Sequence, residues 1–278
     1  MPGPGVGGSA VLVLPLEHFT IDRAIGGIFV VIQQRIENYW ITRADGYSQS
    51  IREELNSFKR EAWQKLISEH AGQGDNIEAL DIGTGPGFFA ILMSDLGYKV
   101  TAVDCTEYML QEAGKNTENA GFYVHFVKAD AHKLPFLDNA FDLIVCRNLV
   151  WTLTNPQAVY QEWYRVLKKS GKVLVFDANW YLRLNDASLQ EKYEKAMKMA
   201  EEMGYQDAVT REQEIECEDI ARNLPLSYEL RPEWDKKALL ECGFQNVFVD
   251  VDISDKIYDE VKKVLYSSTP MFMICAQK

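Results

Sequence analysis

Apolar positions along the chain change period twice. From about Gln33 to His70 they recur at helical spacing, with Ile51, Leu55, Phe58 and Leu66 along one stripe. Ser50-Ile51-Arg52-Glu53 reads as a capping box that opens a helix, and Gly72 and Gly74 read as its end. Beyond Gly74, short β-rich runs alternate with helical segments. The runs are Ile77–Ile82, Lys99–Asp104, Val124–Asp130, Phe141–Cys146 and Lys172–Asp177; the segments between are Gly87–Leu96, Glu107–Asn119 and Gln157–Lys169. Nearly continuous apolar strands alternating with helices predict a parallel sheet covered on both faces. After Asn179 the alternation stops for about fifty residues. Ser188-Leu189-Gln190-Glu191 reads as a second capping box, and residues 211–220 are strongly acidic. The alternation then resumes with helix Pro232–Cys242, strand Asn246–Ile253, helix Lys256–Tyr266 and strand Pro270–Ala276, which makes seven strands.

Charge removes some partners from consideration. Lys and Arg total 29 against 41 Asp and Glu, so the formal net charge is −12. An acidic chain without a basic run has no bulk attraction for phosphate backbones or anionic membranes. The five cysteines (105, 146, 217, 242 and 275) form no CxxC pair. Reduced thiols in a cytoplasmic protein fit them better than disulfides or a structural metal. The first ten residues are Gly- and Pro-rich and read as a disordered lead. The apolar runs Val11–Leu16 and Ala24–Ile32 fall short of the ~20 residues a membrane span needs. No Lys or Arg precedes Arg23, so the charged start of an export signal is missing.

The sharpest chemical signal is Ala79-Leu80-Asp81-Ile82-Gly83-Thr84-Gly85-Pro86-Gly87. A strand runs into a glycine-rich turn that opens a helix, and the missing Cβ atoms let a ligand approach the backbone. Such a turn alone indicates a nucleotide-like ligand, a property shared with dinucleotide-binding domains. Three features narrow it. The glycine spacing is G-x-G-x-G. Asp81 precedes the first glycine by two positions. The second strand ends in Asp104, where a carboxylate can accept from both hydroxyls of a ribose. The third ends at Lys128-Ala129-Asp130-Ala131, followed by Leu134-Pro135-Phe136 and the run Phe141-Asp142-Leu143-Ile144-Val145.

In this order and spacing the motifs resemble those of the class I S-adenosylmethionine-dependent methyltransferases, type-11 group, which includes quinone-biosynthesis and many small-molecule methyltransferases. The likeness covers residues 77–180 well and 231–278 loosely. It implies a doubly wound, seven-stranded, mostly parallel α/β sheet of Rossmann-like form with a helical cap. It also implies S-adenosylmethionine as methyl donor, S-adenosylhomocysteine as product, and in-line transfer to a small-molecule acceptor. By the same resemblance Gly83 and Gly85 should lie along the methionyl part, and Asp81 should hold that loop and the ammonium region. Asp104 should take the ribose, with Cys105 flanking the adenine. Asp130 should meet the adenine amino group, with the Ala131 amide near the ring. Arg147 and Asn148 should approach the ammonium through their backbone. Tyr39 and Tyr47 belong to a segment that often closes over the cofactor in this family, and Trp151 and Arg147 are candidates for the acceptor pocket.

No catalytic residue is identified; His132, two residues past Asp130, is the best-placed base should the acceptor arrive protonated. The chain departs from the family members that carry N-P-P-Y or D-P-P-Y after strand four: here the residues are Cys146-Arg147-Asn148-Leu149. That weighs against methylation of exocyclic base amines or glutamine amides. The cysteines show no metalloid-binding cluster, and no metal is expected. The organisation expected is an extension at 1–32, a helical cap at 33–75, the cofactor-binding core at 76–180, a cap insertion at 181–230 and the rest of the core at 231–278. Both cap pieces are expected to close over the cofactor and form most of the acceptor pocket. The competing readings are a tRNA or protein methyltransferase and a cofactor-binding protein without turnover. A second copy of the chain as partner stays open.

Overall fold

The computed structural model describes residues 17–72 and 76–278, with side chains from residue 31 onward. The Gly/Pro-rich lead, the run Val11–Leu16 and Gly74 lie outside the described residues. The elements, in chain order, are α1 (Glu17–Leu55), α2 (Lys59–Ala71), β1 (Glu78–Ile82), α3 (Phe88–Asp95), β2 (Lys99–Asp104), α4 (Glu107–Asn119), β3 (His125–Lys128), β4 (Phe141–Arg147), α5 (Pro156–Val166) and β5 (Leu167–Asp177). They continue with α6 (Ala187–Glu202), α7 (Arg211–Ala221), α8 (Glu233–Glu241), β6 (Gln245–Asp250), α9 (Ser254–Ile257), α10 (Glu260–Leu265) and β7 (Phe272–Gln277).

The seven strands form one sheet in the order β3-β2-β1-β4-β5-β7-β6. The first five are parallel, and β7 runs antiparallel between β5 and β6. Strand order reverses between β1 and β4, so the connections leaving their carboxyl ends diverge and open a crevice there.

Alternation within β4 shows how the sheet is sandwiched. Leu143 and Val145 face one cluster, with Trp63, Phe88, Phe89 and Phe176, while Ile144 and Cys146 face the other, with Tyr160, Trp163 and Phe272. The period-2 pattern thus fills both faces of a doubly covered sheet. A third cluster lies off the sheet. In it Ile32, Ile36 and Tyr39 of α1 pack with Trp151 and with Cys217, Ile220, Ala221 and Leu224 from the end of α7 and beyond.

Two helix starts differ from their sequence signals. Ser50 lies inside α1, where its Oγ donates to the Gly46 carbonyl at 3.2 Å instead of capping a new helix. The helix is therefore one long rod through residues assigned above to two regions, and it stops at Leu55. Asp186, not Ser188, caps α6, accepting from the amides of Ser188 and Leu189. A full capping box does occur at Thr210 and Gln213, opening α7.

Candidate functional site

A cleft runs across the carboxyl ends of β1, β2, β3 and β4, beneath helix α1. It encloses about 960 Å³ including its open mouth, ample for a nucleoside-sized ligand and a second small molecule. The glycine turn forms its floor. Gly83 and Gly85 have φ of +66° and +52°, the left-handed region that a side chain disfavours. A Cβ on Gly83 would stand 2.9 Å from Leu149 Cδ1, and one on Gly85 would stand 3.4 Å from Tyr47 Cε1. The turn is therefore bare backbone held between two side chains.

Three carboxylates surround it. Asp81 is buried; its Oδ2 accepts from the Thr84 hydroxyl at 2.6 Å, and burial pushes its carboxyl up to about 7. Asp104 Oδ2 accepts from the Gly85 amide at 3.0 Å, and its Oδ1 accepts from the amide and hydroxyl of Thr106, both at 2.9 Å. Burial raises its carboxyl too, against those hydrogen bonds. The Oδ2 side keeps room for one more donor. Asp130 Oδ1 accepts from the amide and ring Nδ1 of His132, at 2.9 and 2.7 Å. These contacts hold its carboxyl below the usual range, and its Oδ2 has no donor among the described residues.

The placement of His132 argues against the role of base. Its Nε2 receives the Asn155 amide at 3.3 Å while Nδ1 points to Asp130. Both ring nitrogens are engaged, with the proton assigned to Nδ1 by these partners. His132 props Asp130 and leaves no lone pair for an incoming nucleophile.

The other expected residues divide. Cys105, Ala131, Asn148, Arg147 and Tyr47 line the cleft with Asp81, Gly83, Gly85, Asp104 and Asp130. Tyr39 and Trp151 do not: both are buried in the off-sheet cluster, Trp151 against Tyr181 at 4.7 Å between ring centroids. On α1, Tyr39 is buried in that cluster, while Trp40 packs on its edge and also lines the cleft. Gln33, Ile36 and Ile51 also line it. Their signal was available: positions 36, 40, 47 and 51 fall on one face of a helix. No residue of 181–230 lines the cleft, so the insertion does not form the pocket wall. It buttresses the outer side of α1 instead.

Helix α1 spans the whole cleft. Near one end Glu37 adds its charge to the burial and the Asp104 charge that raise the Cys105 thiol. Near the other, Glu54 accepts twice from Arg147 Nη1, both at 3.1 Å. Burial pushes the Glu54 carboxyl up, but the charges of Arg147, Lys262 and Lys59 outweigh it and hold it low. The Arg147 guanidinium also lies 4.2 Å from the Phe88 ring centroid. Glu54 was not singled out in the sequence, because its partner lies 93 residues away.

Asn148 supplies a further mark of a ligand. It sits at φ +54°, its amide donates to the Phe176 carbonyl at 2.9 Å, and its side-chain oxygen is buried without a partner. A buried acceptor in a cleft is costly unless a donor arrives.

A methyltransferase-domain family matches residues 80–175, the segment that holds β1 to β5 and this floor. Over that segment the chain is similar to the methyltransferase-domain family. The chain is 34% identical over 117 residues to a ubiquinone/menaquinone biosynthesis C-methyltransferase of Desulfotalea psychrophila, covering 41% of the present chain and 47% of that relative. With the enzyme of the same description from Shewanella pealeana it shares 27% over 194 residues, 66% of the chain and 73% of the relative. The first match thus spans about half of that relative's length. Among solved structures, an S-adenosyl-L-methionine-dependent methyltransferase fold from Methanococcus maripaludis superposes with a TM-score of 0.55 at 21% identity, over 86% of this chain and 93% of that one. That likeness establishes the Rossmann-like methyltransferase fold of the sheet.

The residues present fit the donor of such enzymes, S-adenosylmethionine. The bare glycine turn admits an extended chain against the backbone. Asp104 and Asp130 each keep a free acceptor position, and the unpartnered Asn148 oxygen awaits a donor. Among the described residues no cluster of His, Cys, Asp and Glu can hold a metal ion, and no helix is long and apolar enough to cross a membrane.

Proposed function

We propose that this protein is a methyltransferase that passes the methyl group of S-adenosylmethionine to a small-molecule acceptor by in-line displacement. The observation that carries the reading is one cleft in which the glycine turn, two carboxylates with open acceptor positions and an unpartnered buried amide oxygen line up beneath a helix. The sulfonium supplies an activated methyl group, so the protein needs alignment more than covalent chemistry. Asp104 takes ribose hydroxyls, Asp130 the adenine amino group with His132 as its prop, and Asn148 a donor of the methionyl end. Asp81 holds the turn through Thr84.

The acceptor's share of the cleft is apolar and aromatic. Trp40, Tyr47 and Ile51 of α1 face Phe88 and Leu149 of the core, and Arg147 is already paired with Glu54. Among the described residues that line the cleft, His132, its only histidine, is already engaged at both ring nitrogens. The surroundings favour a flat, apolar acceptor whose nucleophilic atom is activated by its own electrons, in keeping with the C-methyltransferase activity in the names of the two relatives. The acidic surface speaks against RNA as acceptor.

Calorimetry tests the reading. S-adenosylhomocysteine should bind in the micromolar range and NAD should not compete. NAD binding without response to S-adenosylhomocysteine would overturn it. Methyl transfer from labelled donor to any component of a metabolite extract would separate an enzyme from a binding protein.

A further inference from the structure

The cap insertion leaves the core after β5 and returns before α8, and its neck is closed by polar contacts the reaction does not require. Asn179 at the exit pairs with the backbone of Arg231 at the return: its Nδ2 donates to the Arg231 carbonyl at 2.7 Å, and its Oδ1 accepts the Arg231 amide at 3.0 Å. The Arg231 guanidinium then spans two buried carboxylates. Nη1 donates to Asp177 Oδ2 at 2.7 Å, while Nε and Nη2 donate to Asp235 at 2.8 and 2.9 Å. Tyr160 closes the far side, its hydroxyl donating to Asp235 Oδ1 at 2.5 Å. The side chains of Asp177, Arg231 and Asp235 are at most 1% exposed.

Taking three charges out of water is a poor way to gain stability, since apolar residues of similar volume often do as well. Geometry is what such a cluster can fix, and Asp177 has three further engagements that show which geometry. Its Oδ1 accepts the Trp180 indole at 2.9 Å and the Ala178 amide at 3.0 Å. Its Oδ2 accepts the Trp151 amide at 3.2 Å as well as Arg231. Trp151 belongs to the turn after β4. That turn is anchored at its other end by the Asn148 amide on the Phe176 carbonyl, one residue before Asp177. Within it the Thr152 amide and hydroxyl both donate to the Leu149 carbonyl, at 2.9 and 2.7 Å. Leu149 is the side chain pressed on Gly83, and Asn148 carries the unpartnered oxygen.

We infer that Asp177, locked by Arg231, is a positioning residue: it sets the 148–152 turn against the glycine turn and so shapes the methionyl end of the donor site, without touching the donor. The assignment rests on the proposed donor reading. It makes the neck of the insertion, 54 residues apart in sequence, a mechanical part of the cofactor site. Arg231 holds the carboxylate in place, Asp177 holds the Trp151 amide, and the turn holds Leu149 and Asn148.

The test uses two probes that share adenine and ribose. S-adenosylhomocysteine carries the amino-acid tail; 5′-methylthioadenosine does not. In full-length Asp177→Asn the first should bind about tenfold more weakly, the effect of one mispositioned polar contact, and the second within about twofold of wild type. Trp180→Phe removes the indole donor on Oδ1 while keeping an aromatic ring against Tyr266, leaves the Trp151 amide held, and should leave both affinities unchanged. General loosening would weaken both probes together, and that outcome, or no change in either, overturns the assignment. Should Asp177→Asn fail to fold, hydrogen exchange in the wild type decides. S-adenosylhomocysteine should slow exchange of the Trp151 amide more than 5′-methylthioadenosine does, and equal protection overturns the assignment. Binding of neither probe by the wild type would overturn the donor reading itself, and this assignment with it.

Discussion

The floor of the cleft and its roof are built on different physics. The floor is held by contacts between residues close in sequence: Asp81 with Thr84, Asp104 with Thr106, Asp130 with His132. Asp81 and Asp104 lie at strand ends in a packed sheet, where low dielectric strengthens each bond, while the Asp130–His132 pair is more exposed. The roof is held from afar. Arg35 of α1 reaches Glu216 and Asp219 of α7 at 2.9 and 2.8 Å, and Arg43 reaches the Ala208 carbonyl at 3.2 Å. These side chains are partly exposed, so their attraction is weaker and screened by salt. At its far end the roof has one firmer anchor, the largely buried Glu54–Arg147 pair.

The largest expected effect breaks the floor. Asp104→Ala removes a carboxylate that holds Gly85 and should cost about 1.5–3 kcal/mol of S-adenosylhomocysteine binding, the scale of hydrogen bonds to a charged group. Calorimetry on the folded variant reads it, and unchanged affinity would take Asp104 out of the site. A smaller effect concerns pH. Folding raises the Asp81 carboxyl from 3.8 to about 7. Between those values the unfolded chain has lost the proton that the folded chain keeps, so Asp81 draws stability down as pH rises from about 4 to about 7. Asp81→Asn removes that loss, and the variant should gain on the wild type across this window and run parallel above it. Urea unfolding at both ends of the window measures the difference; a constant offset would show that Asp81 stays ionised. The smallest effect is in the roof. Arg35→Ala should change global stability by less than ~1 kcal/mol, yet speed hydrogen exchange in residues 31–43. Should both respond strongly, the roof is as fixed as the floor and the contrast fails.

The same contrast decides what could be read from sequence. Gly83, Gly85, Asp104 and Asp130 stand at fixed offsets from strand ends, so local pattern locates them. Strand β2 and helix α4 match their expected limits for the same reason. Contacts between distant segments leave no such trace. Nothing near Arg231 points to Asp177, and nothing near Glu54 points to Arg147. Ser50-Ile51-Arg52-Glu53 has the composition of a helix start, but tertiary packing of α1 overrides it. The insertion was expected to wall the pocket because it leaves the sheet beside it. It packs instead on the back of α1, whose apolar residues there would otherwise face water. The misplaced Tyr39 follows from reading aromatic content without asking which side of the helix each ring takes.

Helix α1 carries its message as rotation. Each residue turns the rod by about 100°, so of Tyr39 and Trp40, adjacent in the chain and both against the off-sheet cluster, only Trp40 reaches the cleft. Ile36, Trp40, Tyr47, Ile51 and Glu54 work only in phase. One residue inserted after Asp45 would leave a helix as long and as stable, yet swing Tyr47 off Gly85 and Glu54 off Arg147 while Arg35 kept its grip on α7. The rod would still cover the cleft, with a different face turned inward. Drift among related chains should therefore come by replacement along this segment, or by changes of whole turns, and not by single gains or losses of a residue.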